Sequence, residues 1–247
     1  MKIIADTNIW YYLGQNLELF ESVRNQLISP TFVNIYELSK SDNILNNEEL
    51  SRKAIQKLFT FKSNVIYEPP FIYVAQLHND LEFDTLKEIG GWLTFTEKFA
   101  KGHTVEPSKR NDFKKEIDRI RDDLNSGASF FNEEAEKIRE RLKNKREHKQ
   151  KDTHQLTGGF INFIVETTTD KQYNLEGFDL NNIELLVRTL DHFFKTLETS
   201  KMKIKDNDWF DFSILSYVQP GDKYWTNDNK WIGLIKDAGC GEYLYEK

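Results

Sequence analysis

The stretch Met1-Lys2-Ile3-Ile4-Ala5-Asp6-Thr7-Asn8 decides how the rest of the chain is read. Ile3, Ile4 and Ala5 form a short apolar run with two β-branched residues, which suits a buried strand. Asp6 ends it. In open parallel sheets, sites lie beyond the carboxyl ends of the strands. An acid placed there faces the crevice. Its plainer reading is an N-cap for the helix that follows, since Asp, Thr and Asn all cap well.

Outward from this strand, residues 10–13 and 17–27 repeat apolar side chains at helical spacing. Ser29-Pro30 breaks the second helix. Residues 31–33 read as a second strand, residues 35–38 open another helix, and residues 48–61 form a further one. Residues 64–67 suit a third strand that Pro69-Pro70 ends. After Pro70 strand signals become sparse. Helical spacing marks residues 84–101, 109–124, 129–150, 155–169 and 180–199. Alternation returns late, with a helix over 208–218, a strand over 223–226, a helix over 229–238 and a last strand over 242–245. The expected class is α/β, with a central parallel sheet flanked by helices. It is built from residues 1–70 and 201–247, and residues 71–200 form an all-helical insertion.

Composition narrows the function. Of 247 residues, 38% are hydrophobic and 30% charged, which predicts a soluble globular protein. No apolar run is long enough to span a membrane, and the acid at position six interrupts any signal-peptide core. The single cysteine, Cys240, excludes an internal disulfide and a cysteine-rich zinc site. A reducing cytoplasm is the expected compartment. A net charge of -6 argues against a protein that coats nucleic acid through overall charge. It does not argue against a carboxylate site, which is locally acidic until a cation arrives.

Four further acids stand in suggestive places. Glu37 lies between apolar residues in Val33-Asn34-Ile35-Tyr36-Glu37-Leu38. Asp208 and Asp211, three apart, share one face of a helix. Asp211 is embedded in Trp209-Phe210-Asp211-Phe212-Ser213-Ile214-Leu215, where an unpartnered acid is costly to bury. Asp228 follows the strand-like Tyr224-Trp225-Thr226-Asn227. Each has a bland alternative: an N-cap for Asp228, dipole stabilisation for Asp208 and Asp211, and a solvent-facing turn for Glu37.

Taken in order, Asp6-Thr7-Asn8, Glu37-Leu38, Asn207-Asp208-Trp209-Phe210-Asp211 and Trp225-Thr226-Asn227-Asp228 resemble the motifs of the PIN-domain nuclease superfamily, which includes VapC-like toxins of toxin–antitoxin pairs. The resemblance covers about the first 70 and last 45 residues. It implies a PIN-like α/β/α sandwich and a carboxylate site for Mg²⁺ or Mn²⁺ that hydrolyses RNA phosphodiester bonds. Asp6, Glu37, Asp211 and Asp228 would be its catalytic, metal-holding set. Asp208 would be a supporting metal ligand or a helix cap, and Asn8 and Thr226 would orient carboxylates. The residue types suit hard cations, which prefer oxygen ligands. Such ions acidify water and offset phosphoryl charge.

The long middle segment departs from the compact family pattern. It could serve as a substrate lid, a dimerisation arm or a platform for an inhibitory partner protein. Within it, residues 137–151 are strongly basic, and Arg139, Lys143 and Arg146 are candidates to follow an RNA backbone. The plainer reading is a solvated helix face. His103, His148, His154 and His192 show no metal-ligand spacing. Two other functions fit the same acids: a catalytically silent PIN-like scaffold that binds RNA or protein, and a DNA-directed nuclease of the same carboxylate type.

Overall fold

The computed structural model describes residues 1–79, 84–143 and 153–246. The chain opens with strand β1 (Ile3–Ala5), followed by helices α1 (Thr7–Gln15) and α2 (Leu17–Val23). Strand β2 (Ile28–Ser29) leads into α3 (Phe32–Ser39), α4 (Asn43–Asn46), α5 (Glu48–Thr60) and α6 (Pro70–His78). Then come α7 (Thr85–Ala100), the long α8 (Arg110–Lys143), α9 (Thr153–Thr168) and α10 (Glu184–Thr199). The last elements are α11 (Asp208–Leu215), strand β3 (Lys223–Trp225) and α12 (Asn229–Asp237). The protein is thus mostly helical around a small parallel sheet, in keeping with an α/β class.

β1 is the central strand. It pairs in parallel with β2 on one edge and with β3 on the other. The register sets Ile4 beside Ser29 and Tyr224, and Ala5 beside Trp225. Parallel partners need long crossovers. The one from β1 to β2 is α1 and α2, while β3 returns from the far end of the chain. Side chains alternate across the strands, and the core divides accordingly. Ile3, Ala5, Ile28 and Trp225 pack with Trp10, Leu13, Ile55 and Leu58 on one face. Ile4 and Tyr224 pack with Leu186, Phe193, Leu215 and Trp231 on the other. Helices from the middle of the chain join both cores, Phe99 on the first and Val74, Ile161 and Leu190 on the second.

Several elements differ from the sequence expectation, each for a local reason. Residues 31–33 are not a strand. Thr31 is the N-cap of α3, and its side chain accepts the Asn34 N–H while the Asn34 side chain accepts the Thr31 N–H. That reciprocal cap outweighs the β preference of Phe32 and Val33. The strand lies earlier, at Ile28–Ser29, and Pro30 ends its ladder. α2 stops at Val23, where the Gln26 N–H donates to the Val23 carbonyl in a turn, and the Leu27 carbonyl then accepts the Ile3 N–H. The expected strands near 66 and 244 shrink to single parallel bridges, Thr31 with Ile66 and Tyr224 with Leu244. The two helices expected over 109–150 are one through residue 143. It passes Gly127 unbroken, where the Trp209 indole packs and its N–H donates to the Leu124 carbonyl at 3.2 Å.

Two glycines give opposite predictions. A Cβ on Gly14 would sit 2.8 Å from the Ala54 backbone nitrogen, where α1 crosses α5. Backbone cannot yield cheaply, so Gly14→Ala should destabilise by about 1–3 kcal/mol. A Cβ on Gly127 would meet Trp209 at an ordinary 3.5 Å. Gly127→Ala should stabilise by about 0.5–1 kcal/mol through helix propensity. Urea denaturation of both variants checks the signs.

Candidate functional site

The sheet delivers Asp6 to its carboxyl edge. The Asp6 N–H donates to the Trp225 carbonyl at 2.8 Å, so the ladder extends one residue past β1. The side chain is buried. Its Oδ2 accepts the Thr226 hydroxyl at 2.8 Å, and its Oδ1 accepts the Asn8 N–H at 3.5 Å, capping α1. One carboxyl group thus caps α1 with one oxygen and binds the end of β3 with the other. Thr226, whose hydroxyl ties the end of β3 to the end of β1, also accepts the Asp228 N–H at 3.0 Å.

Glu37 comes from the α3 face turned towards Asp6. α3 is anchored there by Asn34, which is fully buried and donates to the Ala5 carbonyl and the Thr7 hydroxyl, both at 3.1 Å. Because Thr7 accepts from Asn34, its own proton is free to serve the Glu37 carboxylate. Asp211 comes from the first turn of α11, and its Oδ2 accepts the Trp231 indole N–H at 2.6 Å.

These three acids repel one another. Burial pushes Asp6 above the usual carboxylate range, against the bonds from Thr226 and the backbone N–H groups of Asn8 and Thr7. Burial also pushes Glu37 up to about 7, opposed by the Thr7 hydroxyl and reinforced by Asp6. Asp211 is pushed up to about 9, by burial first and then by the charges of Asp6 and Glu37. Among the described residues none of the three is ion-paired.

The remaining candidates stand differently. Asp208 is buried and spent: its Oδ1 pairs with the Lys230 ammonium, and its Oδ2 accepts the Lys205 N–H at 2.8 Å. Asp228 caps α12 by accepting the Lys230 N–H at 2.7 Å, and its charge reaches Asp6. The Asn8 side chain is exposed on a cleft wall, so it reaches Asp6 through its backbone N–H. Arg139 is not drawn to these acids. It donates to the Leu197 and Ser200 carbonyls at 2.6 and 3.1 Å and pairs with Glu136. Arg146 lies outside the described residues, as does the Lys143 side chain.

The sequence reading passed over Asn34, Lys230 and Trp231 as site residues. Asn34 stands three residues after Thr31, the spacing of a capping box, which was a legible signal. Lys230 and Trp231 carry no such mark. No group of three or more His, Cys, Asp or Glu side chains among the described residues is arranged to hold a metal ion. No helix among them is long and apolar enough to cross a membrane. No family model, curated protein or solved structure matches this chain.

A stability test follows from the raised acids. Unfolded carboxyls release their protons near about pH 4. The folded protein keeps protons on Glu37 and Asp211 above that, so their stabilising contribution is whole below about pH 4. It is lost as pH rises through about 7 for Glu37 and about 9 for Asp211. In chelator, the melting temperature of the wild type should therefore fall between about pH 6 and about pH 9. Asp211→Asn should flatten that fall and be more stable at pH 8 by on the order of 1–3 kcal/mol. Parallel pH profiles for the two proteins would contradict the electrostatic account.

Proposed function

We propose that this chain is a divalent-metal-dependent endoribonuclease with a PIN-like α/β/α site. One observation carries the reading. Asp6, Glu37 and Asp211 come from three separate elements to the carboxyl edge of a parallel sheet, interact electrostatically, and have no cationic partner among the described residues. Structural acids are normally paired, whereas perturbed, unpaired ones cluster at functional sites.

The donor set suits Mg²⁺ or Mn²⁺, since all its atoms are hard oxygens. Mg²⁺ keeps several waters and is often held by one or two carboxylates together with substrate phosphates. Carboxylates that do not already converge are compatible with that mode. Asp6, Glu37 and Asp211 would hold the ion, with Asp228 at the rim. Bound metal would supply an acidified water and offset charge on the phosphoryl group. Thr226, Thr7 and Trp231 aim the three carboxylates by hydrogen bonding to each. Asp208 stays with Lys230 and braces α11 against α12.

Purified protein with Mn²⁺ should cut single-stranded RNA. Excess EDTA, Asp6→Asn and Asp211→Asn should each lower the rate by more than about 100-fold with folding intact, and Thr226→Val by about 10–100-fold. Full activity in Asp6→Asn, or in EDTA, would overturn the reading. Glu37 and Asp211 must also release protons before acting as ligands. Mn²⁺ affinity should therefore climb between about pH 6 and about pH 9, with proton release detected by calorimetry in buffers of different ionisation enthalpy.

A further inference from the structure

An open cleft of about 270 Å³ adjoins the acids and shares Glu37 and Asn8 with them. Its far wall is α8, through Ile117, Ile120 and Leu124. Phe210 and Tyr11 add aromatic surface. The Tyr11 hydroxyl is buried with no hydrogen-bond partner. Three amides also line the space, those of Asn8, Asn43 and Asn207. None of the three side chains takes part in a hydrogen bond among the described residues.

The charges point away from a phosphate. Lys40 and Arg121 are the cations on the lining, against Glu37, Asp42 and Asp206. Arg121 already pairs with Asp42 and lies 3.6 Å from Asp118. Lys40 donates to the Tyr36 hydroxyl at 2.9 Å, lies 3.7 Å from Glu116 and sits 4.0 Å from the centre of the Trp92 ring. What the cleft offers is apolar surface, one aromatic face and uncommitted groups that both donate and accept. Those are the means by which proteins read a splayed, unpaired base: stacking on an aromatic and hydrogen bonding along its edge.

We infer that this cleft holds one unpaired nucleobase of the strand presented to Asp6, Glu37 and Asp211. Its position next to the scissile bond rests on the nuclease reading. Phe210 supplies the stacking face, Asn8, Asn43 and Asn207 read the base edge, and α8 closes the pocket behind it. The enzyme is then base-selective at one position beside the cut, with the base read by residues from the two ends of the chain and the pocket walled by α8 from its middle.

Two measurements test this. In the first, adenosine, guanosine, cytidine and uridine are titrated into the full chain in EDTA and followed by saturation-transfer NMR. One nucleoside should bind at least about 10-fold tighter than the weakest. Asn207→Ala should weaken it about 5-fold. Ile120→Trp, which fills the cleft, should abolish binding with an unchanged circular dichroism spectrum. In the second, a randomised single-stranded RNA is cut in Mn²⁺. The products should share a base at a fixed offset from the cut, and Asn207→Ala should relax that preference. Equal binding of all four nucleosides, or selective binding that survives both variants, overturns the inference. Cleavage without base preference and without nucleoside binding overturns it while leaving the nuclease reading intact. Selective binding lost in Ile120→Trp, with no RNA cleaved under any condition, supports the base pocket and removes the nuclease reading.

Discussion

The hydrogen bond from the Asp6 N–H to the Trp225 carbonyl is the contact on which the arrangement of the candidate site depends. It joins the first strand of the chain to the last, 219 residues later, as 225 minus 6. With β2 on the opposite edge, β1 has no freedom to shift along its axis. A slip of one residue would send Ile3 and Ala5 to the wrong core. Asp6 therefore leaves the sheet at a fixed height, facing Thr226, and its carboxylate accepts that hydroxyl. α3 is keyed to the same strand end by Asn34, through the Ala5 carbonyl and Thr7. The cluster is assembled by backbone geometry first and by side-chain hydrogen bonds second.

Three desolvated carboxyl groups that interact electrostatically work against folding. Desolvation favours their neutral forms, and each additional charge raises the cost of the next. The surrounding core supplies the opposing term. Residues such as Ile4, Trp231 and Phe193 are fully buried, and each such side chain contributes about 1.5–3 kcal/mol relative to exposure. Phe193 stacks on Trp231, the indole partner of Asp211, and Phe212 meets both rings edge-on. That aromatic packing fixes the Trp231 indole, whose N–H donates to Asp211.

α8 connects the regions of the structure. Its exposed ion pairs, such as Arg119 with Glu116 and Asp123, contribute little. Its fixed points are the Trp209 indole against Gly127, the Arg121–Asp42 pair, and Arg139 on the last carbonyls of α10. Arg139, read from the sequence as a contact for a phosphate backbone, instead satisfies a helix C-terminus whose carbonyls lack partners of their own. A run of basic residues says nothing about which of them is already occupied. That depends on what lies across the groove.

The sequence by itself determined the local facts. Apolar Ile3 to Ala5 had to be a buried strand, amphipathic spacing had to make α5, α10 and α12, and the acids at the ends of these elements were visible as acids out of place. Periodicity and propensity act over a few residues, so they can be read over a few residues. Where two local preferences competed, as at Thr31 to Val33, the capping hydrogen bonds prevailed, and only the folded chain showed it. Tertiary structure alone decided the division of labour among the carboxylates. Asp208 and Asp211 are three residues apart and look alike in sequence. Lys230 neutralises the first, while Trp231 offers the second a hydrogen bond and no charge. That difference arises because α12, placed by β3, lays two consecutive residues against α11. Charge compensation is a property of neighbours in space, and nothing in the spacing of the acids encodes it.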